Sequence, residues 1–118
     1  MNIEILREYC IGLPDVEECF PFGEETLVFK VRGKIFALAN LDGEPSVNLK
    51  CDPALATELR ERYPSVTPGY HMNKKHWNTI DLNGAVPDKE VFSWIYHSYD
   101  LIVNPSQFPK TKMSKTKS

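Results

Sequence analysis

The chain has little that would staple, anchor or arm it. Its cysteines number three, Cys10, Cys19 and Cys51, an odd count with no C-x-x-C pair, which excludes a disulfide framework and a zinc ribbon. Its longest uninterrupted apolar run is Ile35 to Ala39, far short of the ~20 residues that cross a bilayer, and no signal-type sequence opens it. The glycines are scattered, with Gly33, Gly43 and Gly84 each isolated in a turn, so neither a dinucleotide fingerprint nor a phosphate-cradling loop is present. A nucleophile elbow built around serine is also missing. These absences set the expectation of a cytoplasmic protein with reduced thiols, no membrane attachment, no metal and no cofactor.

What is there suits one globular domain. At 118 residues, 42% hydrophobic and 25% charged, the chain can bury roughly two thirds of its unfolded surface without a staple. The formal net charge is −2, but four lysines, Lys110, Lys112, Lys115 and Lys117, lie in a tail without acids, so residues 1–109 carry 10 positive against 16 negative side chains. An acidic body argues against strong attraction to phosphate polymers unless its cations are focused on one face. Residues 1–105 read as the domain, and residues 106–118 as a disordered tail with too little apolar area to offset the entropy of ordering.

Ile3, Leu6, Cys10 and Leu13 recur at helical spacing, with Asn2 placed to cap the helix and Gly12-Leu13-Pro14 to end it. Residues 14–25 read as a connector in which Phe20-Pro21-Phe22-Gly23 docks its rings onto the core. Thr26 to Val31, Lys34 to Leu41 and Ser46 to Lys50 alternate as strands, joined by turns at Arg32-Gly33 and Asp42-Gly43-Glu44-Pro45. Asp52-Pro53 is a helix cap followed by proline at the first helical position, and Pro64 closes that helix. His76 to Leu82 reads as a strand, with Val66 to Tyr70 pairing before it. Asp88 is the expected cap of a last helix with Phe92, Ile95, Tyr99 and Ile102 on its apolar stripe and His97 and Asp100 on the solvated side. The order α-β-β-β-α-β-β-α predicts an α+β fold, an antiparallel sheet with helices on one face. Period two then points Leu27, Phe29, Val31, Val47, Leu49, His76, Asn78 and Ile80 at the helices. It leaves Lys30, Asn48, Lys50, Trp77, Thr79 and Asp81 outward.

The densest chemistry lies in residues 68–79, where Tyr70, His71, Asn73, Lys74, Lys75, His76 and Trp77 crowd a turn-to-strand junction. Cations beside stacking rings are what single-stranded nucleic acid or a phosphorylated ligand would use; the alternative is a solvated loop whose rings fold back onto the core. His71 and His76 stand five apart, unlike a helical zinc pair, and His97 does not complete a ligand set. As a general base, either would need an orienting acid, and the nearest in sequence, Asp81, has the opposite strand phase from His76. Cys51 precedes a helix start whose dipole would lower a thiol pKa, which makes it the least inert of the three cysteines.

Several separated stretches, Phe20 to Val31, Lys34 to Leu38, Val47 to Cys51 and above all Pro68 to Thr79, occur in an order that resembles the MmcQ/YjbR-like family over about Met1 to Val103. The resemblance implies a two-layer α-β3-α-β2-α arrangement, similar to secretion-chaperone-like and CyaY-like folds, and a predicted DNA-binding role through a double-wing motif. It implies no catalytic residues. The expected function is therefore a binding module contacting DNA or RNA through Lys30, Asn48, Lys50, Tyr70, His71, Asn73, Lys74, Lys75, His76 and Trp77. A protein- or small-ligand-binding adaptor is the alternative, and an enzyme using His71 or His76 the third reading.

Overall fold

The computed structural model describes residues 1–69 and 72–105. Three helices, α1 (Ile3–Ile11), α2 (Pro53–Arg62) and α3 (Asp88–Val103), cover one face of a six-stranded antiparallel sheet. Its strands are β1 (Val16–Cys19), β2 (Thr26–Val31), β3 (Lys34–Asn40), β4 (Ser46–Lys50), β5 (Val66–Pro68) and β6 (Trp77–Asp81), in the spatial order β1-β2-β3-β4-β6-β5. The fold class is the one read from the pattern, α+β with helices on one face. The order gains one strand, because residues 14–25 are not all connector: Val16–Cys19 pairs along β2, Val16 opposite Val31 and Cys19 opposite Val28.

Local chemistry accounts for the element ends. The Asn2 side chain accepts from the Ile5 amide at 2.8 Å and that of Asp52 from the Ala54 and Leu55 amides at 3.2 and 3.3 Å, so both helices start where a short acceptor can satisfy free N–H groups. Asp88 does not cap α3. Pro87 occupies that position without a side-chain bond, and Asp88 sits one residue inside, its carboxylate 3.5 Å from the α-ammonium of Met1. Arg32 and Gly33 both adopt positive φ, 53° and 77°, the conformation of a two-residue hairpin turn whose twist matches its strands.

Leu27, Phe29 and Val31 of β2, Val47 and Leu49 of β4 and Ile80 of β6 pack against Leu6, Cys10, Ala56, Leu59, Val91, Trp94, Ile95 and Tyr99 of the helices. Rings bridge the layer: Phe36 meets Tyr99 edge-on at 5.6 Å, Tyr63 meets Trp94 at 5.2 Å, and Tyr9 stacks on Phe92 at 4.6 Å. A bulge interrupts β3, since Phe29 faces Ala37 but Lys30 faces Ile35, leaving Phe36 as the extra residue. The fully buried Ser98 of α3 repairs the ladder there, donating to the Phe36 carbonyl at 2.6 Å and accepting from the Lys50 amide at 3.0 Å.

Two parts of the last helix depart from expectation. Asp100 is buried rather than solvated and accepts from the Asn104 side chain at 2.5 Å. His97 is half-buried, and its Nε2 accepts from the Asp52 amide at 3.2 Å, tying α3 to the start of α2. Phe20 and Phe22 do not dock onto the core; they stand 49% and 64% exposed at the edge of the sheet. Cys51 is buried, and desolvation pushes its thiol up to about 12, opposite to the lowering expected from the helix dipole. The Lys110 to Lys117 tail lies outside the described residues. No helix among the described residues is long and apolar enough to cross a membrane.

Candidate nucleic-acid interface

Antiparallel strands put alternate connections at the same end of a sheet. The Arg32-Gly33 turn, the C-terminal end of β4 and the β5–β6 loop therefore share one end, bringing Lys30, Arg32, Lys34, Lys50, Lys74 and Lys75 together. Of the acids at that end, Asp52 is engaged in capping α2, Asp15 precedes β1, and the exposed Glu17 of β1 lies directly across from Lys30. The β1–β2 loop, the β3–β4 turn and the end of β6 lie opposite and carry Glu24, Glu25, Asp42, Glu44 and Asp81. A sheet whose body is acidic in sum is thus basic at one end and acidic at the other.

Within the basic end the side chains form two groups. On the uncovered face, Lys50 lies directly across from Trp77, and Lys30 lies on β2, two strands from β4. At ~4.8 Å between strands, the row from Lys30 to Trp77 runs about 14 Å. All three are half-buried. Asn48 sits in the next row beside Thr79, whose hydroxyl donates to its side-chain carbonyl, so Asn48 is already partnered. Around the sheet edge, Lys74, Lys75 and His76 line an open cleft of about 510 Å³ with Pro53, Thr57 and Arg60 of α2. His76 is on the helix side, as its strand phase predicted, and no carboxylate lines the cleft. Tyr70 and His71 lie outside the described residues.

The loop that carries these cations is held from beneath by a residue the sequence did not single out. Arg60 donates from Nε to the Asn78 side-chain oxygen at 2.6 Å, and from Nη2 to the Trp77 carbonyl at 3.2 Å and to the Lys74 carbonyl. Asn78 is only 2% exposed and donates in turn to the Ala56 carbonyl at 3.4 Å, so this network roots the loop in the core. Asn73 acts locally, its carbonyl oxygen accepting from the Lys75 amide at 2.9 Å, an Asx turn that sets the loop's tip. The Cys51 amide donates to the His76 carbonyl at 2.7 Å, continuing the β4–β6 ladder into the loop. At Gly69 a Cβ would lie 3.0 Å from the Trp77 Cβ, a tight contact that would push the two segments apart by a few tenths of an ångström, so glycine suits the close approach of this segment to Trp77.

This arrangement can hold anions. Arg60, Lys74 and Lys75 supply positive charge over one concavity, Thr57 and His76 supply hydrogen-bonding groups, and Trp77 adds a ring to the adjoining face. Among the described residues, no three or more His, Cys, Asp or Glu side chains gather where they could hold a metal. Among the described residues, the wall of the cleft beside His76 carries no carboxylate.

Comparison with known proteins places the fold in company. Residues 11–101 match the YjbR family model. The chain is 42% identical over 102 residues to the uncharacterized protein YbdF of Escherichia coli O157:H7, covering 86% of this chain and 84% of the relative. It is 33% identical over 114 residues to the uncharacterized protein YjbR of Escherichia coli strain K12, covering 96% and 97%. Among solved structures, a Deinococcus radiodurans protein superposes with a TM-score of 0.83 at 35% identity, covering 99% of this chain and 96% of its own. A Pseudomonas syringae protein does so with 0.76 at 30% identity, covering 86% and 98%.

Proposed function

Because the chain belongs to the YjbR family, a kinship that fixes a fold without fixing a chemistry, we propose from its charge layout that it is a cytoplasmic binding module that engages nucleic acid with the basic end of its sheet. The observation that supports this reading is the gathering of six cationic side chains at one end, two of which, Lys74 and Lys75, join Arg60 in lining a cleft with no carboxylate in its wall. Phosphates would sit over Arg60, Lys74 and Lys75, and the strand would pass around the loop so that a base reaches Trp77 beside Lys50. Lys30 extends the track across the open face.

The test separates charge from stacking. The four tail lysines attract polyanions on their own, so the parent protein carries all four as alanine. Against it, Lys74→Ala/Lys75→Ala is expected to weaken DNA and RNA binding evenly across sequences and to flatten the slope of log K against log salt by about two units on a duplex. Trp77→Ala is expected to cost roughly 1–3 kcal/mol in single-strand binding. A parent protein with no salt-dependent binding to any nucleic acid at low ionic strength defeats the reading. The second reading, a small phosphorylated ligand, then takes its place, favoured by a cleft whose volume of about 510 Å³ falls in the range of small-molecule sites.

A further inference from the structure

The end opposite the basic one combines acid with exposed apolar area. Phe20, Phe22 and Leu41 stand 49%, 64% and 39% exposed, and the segments that carry them, residues 20–25 and 41–45, hold four carboxylates and no cation. The Leu41 amide donates to the Glu25 carbonyl at 2.8 Å, and the Gly23 amide donates to the Phe20 carbonyl at 3.3 Å, so hydrogen bonds fix both segments side by side. Two exposed phenylalanines within three residues, rimmed by carboxylates, make a surface for a basic partner with a bulky apolar side chain.

The chain itself has such a segment. Residues 106–118 carry Lys110, Lys112, Lys115 and Lys117 together with Phe108 and Met113, and no acid. The segment leaves the fold at the basic end, because Arg32 of the β2–β3 turn donates to the carbonyl of Val103, the last residue of α3. The 16 residues of α3 span ~24 Å at 1.5 Å each. To reach the acidic end of its own molecule the segment would use about seven extended residues merely to travel back. A second copy placed end to end presents its acidic end directly to that segment and to Lys30, Arg32 and Lys34.

We propose that the chain associates head to tail, the acidic, phenylalanine-bearing end of one copy receiving the basic end and the lysine-rich residues 106–118 of the next. The interface is heterologous, because the two surfaces it joins are different. It does not depend on the nucleic-acid reading.

Sedimentation velocity of the full chain tests this. The weight-average sedimentation coefficient is expected to rise with protein concentration at low salt and to fall back to the monomer value at high salt, where surface charges are screened. Phe20→Ser/Phe22→Ser and Glu24→Lys/Glu25→Lys each disable the acidic end, and Lys110→Glu with Lys112→Glu, Lys115→Glu and Lys117→Glu disables the other. Those at Phe20, Phe22, Glu24 and Glu25 alter exposed positions, and circular dichroism checks that every variant folds. Each variant alone is expected to stay monomeric, whereas a mixture of an acidic-end variant with the tail variant restores a one-to-one dimer, since each retains one working end. A wild-type chain that is monomeric at every concentration overturns the proposal, and so does association that survives in either variant class. Failure of the mixed variants to pair while the wild type associates also overturns it, showing a face that meets its own kind.

Discussion

Replacing Arg60 tests whether the cationic loop is anchored from the core. Its Nε donates at 2.6 Å to the side-chain oxygen of Asn78, which is 2% exposed, while Nη2 donates to the Trp77 and Lys74 carbonyls nearer solvent. A hydrogen bond from a charged donor contributes about 1.5–3 kcal/mol, and its loss at a buried acceptor is felt in full because water does not replace it. The two outer carbonyls can turn to water and contribute less. Arg60→Ala should therefore destabilise the fold by about 3 kcal/mol, a fall in Tm of roughly 10 °C for a chain of this size. Arg60→Lys keeps the positive charge over the cleft but offers one point donor in place of a planar fork, so it should lose about 2 kcal/mol. Urea unfolding measures the global term, and hydrogen exchange measures the local one: amides of residues 72–76 should open well below the global free energy in both variants. If Arg60→Ala costs less than ~0.5 kcal/mol and those amides keep their protection, the loop is held by something else and the anchoring argument fails.

Removing the Ser98 hydroxyl as alanine takes its partner from the buried Phe36 carbonyl and from the partly buried Lys50 amide. It should cost about 2–3 kcal/mol in urea unfolding, and a loss under ~0.5 would mean that the bulge closes on itself. Burial lowers the pKa of His97, with Asp52 and Asp100 acting the other way. The folded chain binds that proton less readily than the unfolded one, so stability falls as pH drops through the ordinary histidine value of 6.5 and levels off below the folded value. His97→Gln should remove that part of the slope in urea midpoints measured against pH, and an unchanged slope would assign it to another group. Desolvation pushes the thiols of Cys10 and Cys51 up to about 12. A maleimide at neutral pH should therefore label only the half-buried Cys19 in the native chain and all three after denaturation; fast labelling at Cys51 would mean that the start of α2 opens readily.

Which features the sequence revealed follows from how far apart their causes lie along the chain. The helices at Asn2 and Asp52 were legible because cap, proline and apolar stripe lie within a few residues of one another, and the hairpin at Arg32-Gly33 because turn and strands are contiguous. Strand β1 was not. In Val16-Glu17-Glu18-Cys19 only Val16 is apolar on the core side, and Glu18, on that same side, is satisfied by Arg7 of α1, whose Nε donates to it at 2.8 Å. The strand forms because β2 offers it a ladder, which no local window reports. The roles of Arg60 and His97 are hidden for the same reason, since their partners are 14 to 45 positions away. Phe20 and Phe22 misled in the other direction: aromatic rings default to a core, but hydrogen bonds in the turn at Gly23 fix them at the end of the sheet, away from the helices.

The charge layout had a sequence signal that whole-chain arithmetic conceals. In a meander every second turn falls at the same end, so the sign of charge in successive turns is what matters: Glu24-Glu25, then Arg32 and Lys34, then Asp42 and Glu44, then Lys50. The alternation along the chain becomes polarity in space. The strands are five to seven residues long over β2 to β4, which separates the two ends by about 20 Å at 3.3 Å per residue. That is more than twice the ~8 Å over which physiological salt screens exposed charges. An anion near Lys50, Lys74 and Lys75 therefore feels those cations with the carboxylates of the far end largely screened, whereas Lys30 has Glu17 across from it on β1. A net charge that is negative for residues 1–109 as a whole therefore does not by itself set the local charge there, whereas a protein with the same composition and its charges intermixed would have no such end. In this fold the order of the turns, more than the sum of the charges, determines what each end can attract.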